Sequence, residues 1–156
     1  MAERPQPEEI AKWHLWFAVE ANNRAWQLTE QEEPTDEQRS EALLTAYASV
    51  YHWSQAGTEK NKALGEMLLA RAHVVAREPA AALRYAKSCH DYFTTRESDP
   101  WQIAFVHALM ADAAALAGDS ETHRSHYALA RAAGEGLGEE DRAVFLSTFK
   151  RVPTPV

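Results

Sequence analysis

Apolar positions recur along most of the chain at three- and four-residue spacing, and no segment alternates with period two over a useful length. Between residues 58 and 77, Leu64, Leu68, Ala72 and Val75 fall on one stripe of a helical wheel, with Glu59, Glu66 and Arg77 opposite. Between 100 and 117 the stripe is Ala104, Ala108, Ala111 and Ala115, small residues suited to close helix packing. Punctuation divides the pattern into seven helical segments. Pro5 and Pro7 precede the first, about 7–31. Glu32-Glu33-Pro34-Thr35-Asp36 interrupts it, and Thr35 with Gln38 offers a capping box for a second, about 36–56. Gly57-Thr58 turns into a third, about 58–77, and Pro79 opens a fourth that runs to about Thr95. Asp99-Pro100 with Gln102 repeats the start signal for a fifth, about 100–117, and Gly118-Asp119 turns into a sixth, about 120–134. Gly134, Gly136 and Gly138 then set off a last helix, about 139–150. The pattern predicts one all-α domain over 1–156, with 1–6 and 151–156 as flexible tails.

The connections are mostly two to six residues, so consecutive helices are expected to be antiparallel neighbours. Trp13, Trp53, Tyr92, Phe93 and Trp101 then share one end of the stack, either closing the core or lining a pocket. Two segments look alike when their turns are superposed: LLARAHVVAREPAAALRYAKSC (68–89) and LMADAAALAGDSETHRSHYALA (109–130). Each has a small-residue-rich helix, a tight turn, and a second helix with small and aromatic residues at helical spacing. In the second segment, Gly118-Asp119 followed by Tyr127 and Ala130 resembles the turn and second helix of a tetratricopeptide repeat. In the first, Arg77-Glu78-Pro79 replaces the Gly-Asp turn, with Ala82, Tyr85, Ala86 and Cys89 following. The resemblance covers mainly residues 60–134. It implies antiparallel helix pairs stacked as a right-handed array, paired 1–2, 3–4 and 5–6 with the seventh helix as a cap. Gly57-Thr58 also resembles the turn, which leaves the pairing 2–3, 4–5, 6–7 open. In that family the first helix of each pair lines a concave face where extended peptides bind.

Two charges sit badly on these wheels. Arg71 falls in the apolar arc of its helix, and Asp112 lies beside the alanine stripe, places where a charge is costly unless paired or solvated. Each precedes its turn by six residues, and the resemblance places both toward the concave face. Either they pair with each other and hold the stack together, or they face a groove. The first helix reads WHLWFAVEANNRAW over 13–26, with three of the chain's five tryptophans. Its wheel puts Leu15, Val19 and Trp26 on a side that packs on the second helix. The other side carries Trp13, Trp16, Phe17, Glu20, Asn23, Arg24 and Gln27. A binding groove would therefore use Glu20, Asn23, Gln27, Met67, Arg71, Phe105 and Asp112.

Net charge changes the list of partners. The chain has 16 Lys and Arg against 23 Asp and Glu, a net charge of −7, with no long basic run. Nucleic acid and anionic membrane are poor partners for such a surface. Cys89 is the only cysteine, so no intrachain disulfide forms, and its place on a small-residue face predicts a buried, inert thiol. No signal-peptide pattern and no apolar run of about 20 residues occurs, so a cytoplasmic protein is expected. The seven histidines include no HExxH and no Glu-x-x-His pair, and core or surface packing is their expected role. No metal, cofactor or catalytic residue is expected, and no glycine-rich loop suits a phosphate. The sequence thus predicts a non-enzymatic module that binds a peptide or protein segment in a concave helical groove. The alternative is a small-molecule sensor or enzyme with a pocket near Trp13, His52, Trp53, Asn61 and His90. A further reading has the Trp-rich first helix forming a homodimer interface.

Overall fold

A computed structural model describes residues 4–156; Met1–Glu3 of the expected N-terminal tail lie outside the described residues. All regular structure among them is helical: α1 Pro7–Thr29, α2 Asp36–Ala56, α3 Glu59–Val75, α4 Pro79–Thr94, α5 Pro100–Ala117, α6 Ser120–Glu135 and α7 Glu139–Phe149. Local chemistry explains the boundaries. At α2 the Thr35 amide donates to Gln38 Oε1 at 2.9 Å and the Gln38 amide to Thr35 Oγ1 at 3.2 Å, the expected capping box. The same reciprocal box starts α3 with Thr58 and Asn61, and at α5 the Asp99 amide donates to Gln102 Oε1 at 2.9 Å.

The two turns that look alike in sequence are alike in geometry. Arg77 and Gly118 each adopt positive φ, 60° and 77°. Each turn closes with a 5→2 and a 6→1 hydrogen bond, Arg77 N–H to Val74 O and Glu78 N–H to His73 O in one, Gly118 N–H to Ala115 O and Asp119 N–H to Ala114 O in the other. This closure returns the last carbonyls of a helix to partners and needs a left-handed residue, usually glycine. Arg77 bears the steric cost that Gly118 avoids. Arg77→Gly is therefore expected to raise stability in urea unfolding by about 0.5–1 kcal/mol.

Packing is broadest within the pairs α1–α2, α3–α4 and α5–α6; α1 also touches α3, and α3 touches α5. The seams between helices are made of alanine. Ala18 and Ala25 of α1, Ala42 and Ala46 of α2, Ala70 and Ala72 of α3, and Ala82 and Ala86 of α4 are wholly buried. Small side chains let axes approach closely, and glycine extends the device: a Cβ on Gly65 would meet Val50 Cγ2 at 2.6 Å.

The wheel of α3 misleads in one respect. Every residue from Met67 to His73 is buried, so α3 has no continuous polar face but lies among α1, α2, α4 and α5. A helix enclosed on all sides is not amphipathic, and its charge must be satisfied inside.

Helix α7 packs on α5 and α6. Phe145 lies against Gly134, stacks on Phe149 with centroids 5.0 Å apart, and meets Phe105 edge-on at 5.7 Å. Residues 151–154, expected as part of a flexible tail, make specific contacts. Val152 is buried, Arg151 donates to the carbonyls of Glu30 and Gln31, and the Pro153 carbonyl lies 2.7 Å from His123 Nε2.

Candidate functional site

The inner sides of α1, α3 and α5 converge on a cavity of about 390 Å³ whose remaining wall is α7. Asn22 and Trp26 come from α1 and Glu30 from its C-cap, Leu64 and Met67 from α3, Trp101 and Phe105 from α5, and Val144 and Thr148 from α7. Phe105 holds the aromatic wall together, meeting Trp26 edge-on at 6.3 Å and Trp101 edge-on at 5.8 Å. An apolar concavity of this volume with a few polar groups at its margin has the character of a ligand pocket.

Of the residues the sequence suggested for a groove, Met67 and Phe105 line this cavity. Glu20, Asn23 and Gln27 are exposed and outside this cavity. Neither side of α1 packs as the wheel placed it. The Arg24 guanidinium forms two hydrogen bonds to Glu41 of α2, at 2.6 and 2.9 Å, and a third to Gln27 Oε1 at 3.1 Å. Trp26, assigned from sequence to the α2 seam, points instead to Phe105, while Leu15 and Val19 are exposed. The physical reason is that Ala18, Ala25 and Leu28 form the buried seam of α1. A wheel weighted by large apolar residues looks away from alanines.

Arg71 and Asp112 form a pair. Arg71 Nη1 donates to Asp112 Oδ2 at 2.5 Å, and Nη2 donates to the Thr29 carbonyl at 3.3 Å. Both side chains are buried, with residue exposures of 5% and 4%. One guanidinium therefore joins the C-terminal turn of α1 to α3 and α5. Burial pushes the Asp112 carboxyl above its ordinary value, against the pull of Arg71. The pair also borders a more polar cleft of about 530 Å³, with Arg39, Arg77, Lys150 and Arg151 around it. Two of these cations are already engaged with helix-end carbonyls, Arg39 with Val75 and Arg151 with Glu30 and Gln31. Cations at the negative ends of helices stabilise them directly.

Of the five residues of the alternative pocket, Trp53 and Asn61 both lie against Gly57. Trp13 is 54% exposed. His52 Nδ1 lies 2.7 Å from His14 Nδ1, and its ring stacks on Phe17. Asn61 also caps α3, and His90 turns toward α5 and α6. Cys89 is fully buried, and burial pushes its thiol well above the ordinary range, as expected of an inert cysteine.

Two histidine groupings escaped the sequence reading. Buried His73 lies between Glu78 Oε2, 2.6 Å from Nδ1, and the Tyr47 hydroxyl, 2.8 Å from Nε2, while its ring stacks on Tyr85. Burial and the neighbouring Tyr85 push the Tyr47 hydroxyl up to about 12. A phenol so reluctant to ionise acts as a tie between α2, α3 and α4 rather than as an acid. The second grouping is His90, His107 and His126, one from each of α4, α5 and α6. His126 Nδ1 lies 2.9 Å from His107 Nδ1. Both residues fall mid-helix.

No family model matches this chain, and comparison with curated proteins and with solved structures gives no significant match. No helix among the described residues is long and apolar enough to cross a membrane.

Proposed function

We propose that the chain is a non-enzymatic binding module of tetratricopeptide-like design, and that its inner face receives an apolar side chain of a peptide or protein segment. The observation that carries this reading is the aromatic cavity of about 390 Å³ between α1, α3, α5 and α7. The repeated turn geometry at Arg77 and Gly118, and the neighbouring of α1 with α3 and of α3 with α5, support the repeat-like architecture. Trp26, Trp101 and Phe105 supply the contact area, and Asn22, Glu30 and Thr148 supply hydrogen-bonding groups for a peptide backbone at the margin. In this reading α7 is both cap and wall, so the groove is a pocket closed at one side rather than an open trough.

The test is a selection from a random peptide library against the purified protein. Peptides sharing one bulky apolar anchor are expected, with binding lost in Leu64→Trp, which fills the cavity from a half-buried position. Peptides that bind Leu64→Trp as well as the parent protein would place the binding surface elsewhere. One such surface is specific. Trp13, Trp16 and Phe17 of α1 are 54%, 58% and 47% exposed, a patch that favours a second copy of the chain as partner.

A further inference from the structure

Three imidazoles from three consecutive helices meet at one point of the surface. The ring centroids of His90, His107 and His126 are 5.0, 5.2 and 5.1 Å apart, a nearly equilateral triangle. One nitrogen of each lies within 4.8 Å of one nitrogen of each other. A tetrahedral ion with bonds of about 2.0–2.1 Å holds its ligands roughly 3.3–3.4 Å apart, a spacing these side chains reach by small rotations. From this geometry we infer that His90, His107 and His126 form a binding site for a divalent transition-metal cation of the zinc class.

The donor set fits that class of ion. Three neutral imidazoles suit zinc, copper and nickel and are poor ligands for magnesium or calcium. All three rings are half-buried, so solvent reaches the cluster and a fourth position stays open to water, the pattern of a three-ligand zinc site. The Asp91 carboxylate stands 3.5 Å from His90 Nδ1, near enough to help orient the ring. The Nδ1 atoms of His107 and His126 lie 2.9 Å apart, so one ring donates a hydrogen bond to the other. An ion there ties α4 to α5 and α6, and so couples two neighbouring helix pairs. This site is independent of the inner-face cavity.

Zinc chloride titrated into chelator-treated protein in a calorimeter is expected to bind at one equivalent and to raise Tm with concentration. Cobalt(II) is expected to give the visible absorption of a tetrahedral site. His107→Gln, His126→Gln and His90→Gln should each weaken binding by roughly 100-fold or more. His52→Gln, which breaks the separate His14–His52 contact, should leave it unchanged. Circular dichroism shows whether each variant keeps its helices; His90→Gln serves if His107→Gln does not fold. Failure to bind stoichiometric zinc overturns the site, as does binding that survives His90→Gln and His126→Gln or is lost in His52→Gln.

Discussion

Arg71→Ala is expected to destabilise the fold by about 3–5 kcal/mol in urea unfolding, because it leaves Asp112 buried and unpaired. The guanidinium also satisfies the Thr29 carbonyl, so α1 loses a tie to α3 in the same step. The second half of this prediction separates pairing from mere burial. Replacing both partners with apolar residues, Arg71→Met with Asp112→Leu, should recover most of the loss, since neither charge then needs to be held away from water. Burial raises the Asp112 carboxyl despite the adjacent cation, which says that desolvation weighs heavily on this pair. A loss below about 1 kcal/mol in Arg71→Ala would mean that solvent reaches Asp112 readily.

Phe145→Ala is the second large effect, a loss of about 3–5 kcal/mol. The ring is 1% exposed and touches Gly134, Phe105 and Phe149. Its removal takes away the main anchor of α7. Hydrogen exchange should show α7 amides losing protection first while α3 retains its own, because α7 touches only α5 and α6 whereas α3 touches four helices. Uniform loss of protection across the chain would instead show that α7 belongs to the same cooperative unit as the rest.

The all-helical fold was legible because its signals are local. Caps at Thr35, Thr58 and Asp99 and turns at Arg77 and Gly118 are written in residues adjacent to the features they cause. Arg71 and Asp112 were legible as misfits, and pairing was one of the two outcomes left open. The facing of α1 was misread because its seam is made of Ala18 and Ala25, which carry little weight beside three tryptophans. The contribution of α7 to the cavity through Val144 and Thr148, and the meeting of His90, His107 and His126, depend on distances between elements. Spacing within one helix does not encode those distances.

The inner-face cavity is the claim on which the functional account rests, and methyl NMR reads it directly. Met67 lines the cavity, while Met110, on α5, packs against the core outside its lining. In protein carrying labelled methionine methyls, addition of a selected apolar-anchor peptide is expected to shift the Met67 signal strongly and leave that of Met110 nearly in place. A peptide that binds tightly while the Met67 methyl does not move would contradict the account.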